Sequence, residues 1–327
     1  MSATPSRHPP RLPEHFLAPT RPVESLRFLC HALGLAFVPG LAAWVLVTCS
    51  GWSLFALVPA IALLSAIAGF GFYVVGTVAH EGFHFTLAES KWRSALLGVW
   101  FSSPVLAFLG VGFHLVHASH HRHTNAPEDP DLQLFSQFRS TWSRLLLLRL
   151  ANNRVYMRVV LSLLLHNRLP EGMSSAFSLA DLRRLSWVNL AAQAFWAGLY
   201  GAAFVVDPWL GLCTVVLPHA MTAFISAAIV FVQHGDTGDL PADNARTLSS
   251  PLATLLMGGT NFHLEHHLYP RVPCWRLQRV HRWLCGTAWA AQQPMQVERS
   301  FWRGMLLIRE RHAYGSAEPG FRPHPRA

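Results

Sequence analysis

Long hydrophobic stretches without charge alternate with polar segments along this chain. The first such stretch, residues 28–79, contains no Lys, Arg, Asp or Glu. Because a transmembrane helix needs about 20 apolar residues, the stretch predicts two spans, near 28–49 and 53–79. The Ser50-Gly51 pair predicts the tight turn between them. Residues 28–79 are therefore predicted to form a helical hairpin in a membrane.

A second hydrophobic stretch, residues 187–233, has the same organisation. Its one charged residue is Asp207, which is followed by Pro208. We predict spans near 187–206 and 209–233, with Asp207-Pro208 at the tip of a second hairpin. The sequence thus predicts an all-α integral membrane protein with four transmembrane helices.

Two further segments have a mixed character. Residues 96–116 are apolar but contain Ser102, Ser103, Pro104 and several glycines, which favours a re-entrant or interfacial segment over a full span. In residues 132–168, leucine runs alternate with arginines at helical spacing. Such a helix lies along a membrane surface or is a soluble amphipathic helix, and the pattern leaves both interpretations open.

Composition and charge agree with a membrane protein. Hydrophobic residues make up 51% of the chain and charged residues only 13%, compared with about 25% charged residues in soluble domains. The net charge is +9, and the basic residues lie outside the two hairpins. The positive-inside rule then places both termini and the central region in the cytoplasm, in the inner or plasma membrane of the cell. Lipid headgroups account for the basic excess, so no nucleic-acid partner is predicted.

The cysteines and the chain ends add little chemistry. The five cysteines include no C-x-x-C pair and predict neither disulfides nor a thiolate metal site. Residues 1–27 lack an early apolar segment, so no cleaved signal peptide is predicted. This cytoplasmic arm and the Pro/Arg-rich C-terminal end are predicted to be disordered. The predicted organisation is an arm (1–27), a membrane domain (28–285) and a cytoplasmic tail (286–327).

Histidines cluster where the predicted spans meet the cytoplasm. The motif HEGFH ends the first hairpin, HASHH follows residues 96–116, and HLEHH lies in the C-terminal part, while a lone histidine ends the second hairpin. If residues 96–116 are re-entrant, all four groups lie on the same face of the membrane. Their nine histidines are His80, His84, His117, His120, His121, His234, His263, His266 and His267.

The spacing and number of these histidines indicate a metal site. Residues i, i+3 and i+4 share one face of a helix, and neutral imidazole is a good ligand for iron, zinc and copper. The nine histidines exceed what one tetrahedral zinc ion uses. Two iron ions fit all-nitrogen ligation with positions open for O2. His234 is assigned by position alone, and an interaction with the helix dipole is its alternative role.

Polar residues beside the motifs are candidates to hold the imidazoles in place. A ligating imidazole usually donates its second N–H to a carboxylate or carbonyl. For Asp129-Pro130-Asp131 a capped turn is the alternative. The candidates are Glu81, Asn125, Asp129, Asp131, Asn261 and Glu265.

The remaining histidines are assigned to other roles. His114 and His123 are expected to support the second motif or the core, His219 to be a hydrogen-bonded core residue in mid-span, and His166, His281 and His312 to lie on the surface.

The motifs HEGFH, HASHHRHTNAPEDPD and HLEHHLYP, in this order, resemble the three histidine boxes of the membrane fatty acid desaturase superfamily. The resemblance covers about residues 28–285. It implies a four-helix membrane stem and a cytoplasmic helical cap with a di-iron site, two non-haem iron ions held by the nine histidines. Members use O2 and two electrons to attack unactivated C–H bonds of lipids. Some members have Asn one helical turn before the lone histidine, where this chain has Val230.

The reaction implied by the resemblance is desaturation of an acyl chain to a cis double bond. The segment NARTLSSPLATLLMGGTNFHLEHHLYPRVPCW is also similar to carotenoid-ring hydroxylases. Hydroxylation or ketolation of a carotenoid ring or acyl chain is therefore the alternative.

Two alternatives come from other classes of protein. HEGFH satisfies the HExxH pattern of zinc proteases, with Glu81 as base, although a protease leaves both HxxHH motifs unexplained. A non-catalytic metal-binding membrane protein is the other alternative. For an oxidative enzyme, the chain has neither a haem-binding HPGG stretch nor a flavin or nucleotide fingerprint. Its electrons are then expected from a separate partner such as ferredoxin or cytochrome b5.

Overall fold

A computed structural model describes residues 8–293 and 295–309. The structure is mostly helical, which confirms the predicted class. The α-helices are α1 (Pro22–Cys49), α2 (Leu54–Phe83), α3 (Lys91–Ser102), α4 (Gly110–His123), α5 (Pro130–Phe135), α6 (Thr141–His166), α7 (Leu179–Val206), α8 (Pro208–Gly211), α9 (Leu217–His234), α10 (Pro251–Met257), α11 (His263–Leu268), α12 (Cys274–Cys285) and α13 (Phe301–Leu306). A π-helical turn, Leu212–Val216, joins α8 to α9, and the strands are β1 (Arg246–Leu248) and β2 (Gln296–Glu298). Short 3-10 turns lie at Glu14–Leu17, Ala290–Gln292 and Leu307–Arg309.

The chain folds into two compact units, each built from separate stretches of sequence. Among the described residues, the histidine unit comprises those up to Pro19, Val116–Leu148 and those from Ala227 onward. The apolar unit comprises Thr20–Leu115 and Arg149–Ser226. Seven of the nine histidines in the motifs belong to the histidine unit, and the HEGFH pair belongs to the apolar unit.

Within the described part of the chain, four helical stretches are long and apolar enough to cross a membrane: α1, α2, α7 and the continuous stretch Pro208–His234. They coincide with the four predicted spans and are those of a multi-pass membrane protein. Three of them extend further than the hydrophobic pattern suggested, and α1 begins at Pro22 instead of near residue 28. Helix α2 continues to Phe83 and includes the first four residues of the HEGFH motif, and His84 is its C-cap residue. Helix α7 starts at Leu179 because the Ser178 side chain accepts the N–H of Asp181 and caps the helix.

Close helix contacts in the apolar unit depend on glycine. A Cβ atom at Gly71 of α2 would lie 2.2 Å from the backbone nitrogen of Ala36 in α1. Gly82 of α2 and Gly98 of α3 face each other, and a Cβ atom on Gly82 would lie 2.6 Å from the Cα of Gly98. Small residues allow the backbones of membrane helices to approach closely. Helix α2 is therefore packed tightly between its two neighbours at these positions.

The interval 96–116 does not form one continuous helix. It is divided between α3 and α4 by residues 103–109, and neither helix is among the four candidate spans. Side chains of α7 satisfy the backbone of this break. Gln193 donates to the carbonyls of Ser103, Val105 and Phe108, and the Tyr200 hydroxyl donates to that of Pro104. Protein groups thus take up the hydrogen bonds of this irregular backbone.

His219 serves the same break, as the sequence predicted for a hydrogen-bonded core residue. Its Nε2 accepts the N–H of Leu106 at 3.2 Å, and its Nδ1 donates to the carbonyl of Val215 at 2.7 Å. His114 is buried in the apolar unit, where it hydrogen-bonds Ser175 and stacks on Phe83. Both residues are therefore explained by packing.

Helix α6 differs from a uniform amphipathic helix. The guanidinium of Arg144 is buried, donates to the carbonyls of Phe138 and Ile308, and lies over the Phe231 ring. Large apolar side chains such as Trp142 are instead exposed. Arg144 therefore stabilises the packing, whereas Arg154 and Arg158 are exposed. The spacing of the arginines did not predict this difference.

The histidine unit is organised by a short parallel strand pair, β1 and β2, with Arg246 opposite Gln296. Thr247 of β1 also forms an isolated antiparallel bridge with Phe262, the residue before α11. The carbonyl of Asn261 accepts the N–H of Leu248. These contacts fix the start of α11 against the strand pair.

The N-terminal region differs from the predicted disordered arm, 1–27. Phe16 is buried, the carbonyl of Pro10 accepts the Tyr269 hydroxyl, and α1 begins at Pro22. The predicted tail, 286–327, contains β2 and α13. The predictions for residues 1–7 and 310–327, including His312, lie outside the described residues.

Candidate metal centre

Seven imidazoles of the histidine unit come together from three helices. Helix α4 carries the HASHH residues, His234 is the last residue of α9, and α11 carries the HLEHH residues. On α4 and α11 the i, i+3, i+4 spacing points three side chains to one face. The residues are His117, His120, His121, His234, His263, His266 and His267.

One group consists of His120, His234 and His267, whose ligand nitrogens all lie within 4.8 Å of one another. The Nε2 atoms of His120 and His267 are 3.4 Å apart. His120 and His234 are buried. His263 stands beside this group, with its Nε2 2.8 Å from that of His234 and 3.2 Å from that of His267.

A second group contains His117, His121 and His266, again with ligand nitrogens within 4.8 Å of one another. The Nε2 of His121 is 3.0 Å from that of His117 and 2.8 Å from that of His266. The alternation of neighbouring histidines between the two groups follows from helix geometry. His120 and His121 of one motif, like His266 and His267 of the other, are divided between them.

The HEGFH pair lies at the end of α2 in the apolar unit. The ring centroids of His80 and His84 are 4.5 Å apart. The Nδ1 of His80 donates to the Glu81 carboxylate at 2.9 Å, and the other Glu81 oxygen accepts the Thr86 hydroxyl at 2.7 Å. Glu81 is buried and holds His80 in orientation.

Asp129 supports His120 from within the histidine unit. The Asp129 carboxylate is fully buried and accepts the Nδ1–H of His120 at 2.9 Å. It also accepts the backbone N–H groups of Asn125 and Asp131. The second of these bonds caps α5, so Asp129 both hydrogen-bonds His120 and forms a capped turn. The Asp131 carboxylate is 3.8 Å from the same imidazole nitrogen.

Asn125 connects the loop after α4 to the loop after α9. Its backbone lies in the left-handed region at φ 60°, which Asn adopts more readily than most residues. Its side-chain amide donates to the Thr237 hydroxyl and to the carbonyls of Gly238 and Asn244. The carbonyl of Asn244 also accepts the Nδ1–H of His234. Asn125 therefore acts on His234 through a shared backbone acceptor.

Glu265 and Asn261 hold α11 in place. The fully buried Glu265 carboxylate accepts the Thr247 hydroxyl and the Nδ1–H of His281, the latter at 2.6 Å. The Asn261 amide donates to the carbonyl of Leu248 and to the Thr254 hydroxyl. Both residues thus fix the histidine-bearing helix to β1 and its surroundings.

His281 was predicted to lie on the surface, and that prediction is wrong. It lies in α12, is largely buried, and is hydrogen-bonded to Glu265. A single histidine among three arginines gave no signal of this contact, because the two residues are brought together by a turn between α11 and α12. Val230 likewise has a structural role, since it packs against the apolar cluster that contains Phe231.

Burial favours neutral imidazole at His234 and His267, whereas the hydrogen bond and charge of Asp129 outweigh burial and raise the pKa of His120. Burial lowers the pKa of His267 well below its ordinary value, and the neighbouring His121 and His263 lower it further. A metal ion binds the neutral form of histidine. Imidazole nitrogens converging within 4.8 Å form a donor set that fits iron, copper or zinc rather than calcium or magnesium.

Comparison with known proteins agrees with this chemistry. The family described as Fatty acid desaturase matches residues 54–298. The chain is also similar to the Delta(6)-fatty-acid desaturase fat-3 of Caenorhabditis elegans, with 20% identity over 231 residues, which are 61% of this chain and 52% of that protein. The chain thus spans about half the length of the curated relative it matches. The family match covers most of the chain and contains both histidine groups and the HEGFH pair. The chain therefore belongs to the membrane fatty acid desaturase superfamily, whose members are oxidoreductases.

Proposed function

We propose that this protein oxidises an unactivated C–H position of a membrane lipid with O2, and that the reaction is desaturation of an acyl chain to a cis double bond. The observation that carries the proposal is the convergence of seven imidazoles into two adjacent groups within one unit. The family match supports the reaction class, and the similarity to a protein named a Delta(6)-fatty-acid desaturase supports an acyl substrate.

Two iron ions are the proposed cofactors. His120, His234 and His267 would hold one ion, with His263 beside them, and His117, His121 and His266 would hold the other. As the resemblance implies, His80 and His84 would also be ligands of the ion pair. When bound and reduced, such an ion pair supplies O2 activation and removal of hydrogen from an unactivated carbon. The described residues Glu81, Asp129 and the Asn244 carbonyl orient the imidazoles of His80, His120 and His234.

The balance of the reaction sets what else the protein needs. Removal of two hydrogen atoms from neighbouring carbons with O2, two electrons and two protons gives a double bond and two molecules of water. The electrons would come from a separate one-electron carrier, such as ferredoxin or cytochrome b5. The substrate would reach the site from the bilayer, with the four apolar helices as two hairpins and residues 96–116 as a re-entrant segment. Both termini and the site would face the cytoplasm.

Hydroxylation or ketolation of a carotenoid ring or acyl chain is the second candidate. It rests on the similarity of residues 244–275 to carotenoid-ring hydroxylases. The outcome depends on how the carbon is held, because a shift of about 1 Å can change reactivity greatly. A zinc protease is not supported by the geometry. Both oxygens of Glu81, its required base, are engaged with His80 and Thr86.

Expression in a host that makes both fatty acids and carotenoids tests the proposal. Lipid mass spectrometry should find an acyl chain that has lost two hydrogen atoms, and a cell expressing the His266→Ala variant should lack it. A gain of one oxygen atom on a carotenoid or acyl chain would instead support the second candidate, hydroxylation or ketolation. An unchanged lipid profile, with the protein iron-loaded and reduced, would reject both.

A further inference from the structure

Helix α12 has a basic surface that the proposed reaction does not use. Arg279 and Arg282 are exposed on this helix, and Arg299 is exposed directly after β2. Among residues 8–293 and 295–309, no carboxylate forms an ion pair with any of the three, whereas nearby Arg303 is paired with Glu298. We call Arg279, Arg282 and Arg299 the arginine face.

The three arginines belong to one surface. Arg279 and Arg282 are three residues apart and are therefore neighbours on the helix. Burial and the charge of Glu265 raise the pKa of the Cys285 thiol, and the positive charge of Arg299 opposes this effect. Arg299 directly follows β2, and Met295, just before that strand, packs against the apolar cluster that contains Leu284 of the last turn of α12. The positive charge thus extends along the helix to its C-terminal end.

The opposite side of α12 reaches the histidine groups. His281 of this helix hydrogen-bonds Glu265, which lies in α11 between His263 and His266. An α-helix with its side chains is about 10–12 Å across. A molecule bound to the arginine face is therefore separated from the histidine-bearing helix by roughly one helix diameter. A surface at this distance suits the delivery of electrons.

The position of α12 is fixed before any partner binds. The Arg276 guanidinium donates to the carbonyl of Ala18 at 2.6 Å and is within 3.5 Å of the Phe16 carbonyl. Leu277 and Leu284 are buried beneath the helix. A preformed charged surface binds with little ordering cost.

The composition of the exposed surface distinguishes an acidic protein from an anionic membrane as its partner. The exposed residues of α12 are Gln278, Arg279, Arg282 and Cys285, with no large hydrophobic side chain. A helix that lies in a membrane interface inserts aromatic or leucine side chains. Helix α6 has exposed residues of that kind, and the exposed side of α12 has none within the described chain. Beside Arg299, Val297 and Trp302 are exposed, so this argument for a protein partner rests on Arg279 and Arg282.

We propose that the arginine face is the docking surface for an acidic one-electron carrier protein. This inference rests on the proposed function, which requires two electrons from outside the chain. The carrier would be oxidised by one electron at each of two visits, and both electrons would pass to the O2-reducing site. Complementary charge would steer its approach and set its orientation.

Binding can be measured without turnover. The full-length iron-loaded protein is placed in nanodiscs of zwitterionic lipid, and an acidic ferredoxin and an acidic cytochrome b5, both oxidised, are used as probes. We expect the double variant Arg279→Gln/Arg282→Gln to associate about tenfold more slowly with at least one probe at low ionic strength. Added salt should remove the difference from wild type. The variant Arg279→Lys/Arg282→Lys should retain fast association.

The matched control is Arg154→Gln/Arg158→Gln, which removes two exposed arginines from α6. Equal losses in both glutamine variants, or no loss in the α12 variant with either probe, would overturn the proposal. If the partner were a membrane, the α12 substitutions would reduce only the retention of anionic lipid and would leave carrier binding unchanged. This result would also overturn the docking proposal.

A turnover measurement separates this proposal from the proposed reaction. With a small-molecule reductant, the Arg279→Gln/Arg282→Gln variant should oxidise lipid at the wild-type rate, while its KM for the carrier should rise. The wild-type protein could bind a carrier through the arginine face and still form no lipid product. That result would reject the proposed reaction but support the docking surface.

Discussion

Single residues around the imidazoles decide how the candidate metal centre is held. The carboxylates Asp129 and Glu81 and the Asn244 carbonyl each accept an Nδ1–H, which leaves the Nε2 of that imidazole directed toward its group. This arrangement fixes the tautomer before a metal ion binds. The expected consequence is that residues without metal contact still control metal affinity.

Asp129→Asn tests this consequence. The substitution weakens the acceptor of the His120 Nδ1–H and should lower iron affinity by roughly 10–100-fold. Iron retention against a competing chelator, measured by elemental analysis, gives the effect. Asp131→Asn is the control, because that carboxylate is 3.8 Å from the same nitrogen and should change retention less. Equal retention in wild type and Asp129→Asn would contradict the role.

The Glu265–His281 hydrogen bond gives a second residue-scale prediction. His281→Leu leaves the buried Glu265 carboxylate without this donor and should lower the free energy of unfolding by about 1–3 kcal/mol. Thermal unfolding of the solubilised protein measures the change. His281→Asn, which can still donate a hydrogen bond, should recover part of the loss. His166→Leu, at an exposed histidine, should have little effect, and a comparable loss there would argue against a specific contact.

At the scale of elements, two features of the apolar unit place the end of α2, with its HEGFH motif. Gly82 and Gly98 allow α2 and α3 to touch, and side chains of α7 satisfy the break after α3. The polar residues Gln193 and Tyr200 in a membrane-like helix are thus explained by the backbone they serve. Helix contact and hydrogen bonding together stabilise a segment that is not a continuous span.

Gly98→Val tests the helix contact. Even the Cβ atom of the new side chain would lie 2.8 Å from the Cα of Gly82, so α3 must move away from α2. Overpacking of this kind costs about 1–3 kcal/mol, and we expect a lower unfolding temperature together with lower lipid oxidation. Gly201→Val is the control, since a Cβ atom there meets nothing within 4 Å. Similar losses in the two variants would show that helix propensity, rather than the contact, is responsible.

At the scale of the whole molecule, separate stretches of sequence build one candidate centre. The histidine unit combines Val116–Leu148 with the described chain from Ala227 onward, and its two groups take imidazoles from both parts. Each of the HxxHH motifs contributes to both groups. A two-ion centre is therefore expected to lose metal as a unit when either group is damaged.

Metal counting tests this expectation. The wild-type protein should hold about two iron ions per chain. His266→Ala and His120→Ala, each in a different group, should both lower the iron content and abolish lipid oxidation. His166→Ala should change neither quantity. One zinc ion per chain in place of iron, or full activity in His266→Ala, would refute the di-iron assignment.

The sequence by itself determined the helical class, the four apolar stretches and the nine histidines that are candidate metal ligands. Uncharged stretches of this length have few alternatives to membrane helices, and the i, i+3, i+4 spacing of HASHH and HLEHH is a local property of a helix. Asp129 could also be identified as a candidate from the sequence, because it closely follows the second motif. These features depend on near neighbours along the chain.

Only the tertiary structure decided which histidines share a group and what surrounds them. Three findings depend on contacts between residues that are distant in sequence or separated by a turn. They are the division of His120 and His121 between two groups, the contact of His281 with Glu265, and the burial of Phe16. Such contacts depend on where helices cross and how loops close. Hydrophobic periodicity specifies which face of a helix is buried, but it does not specify the partner against which that face packs.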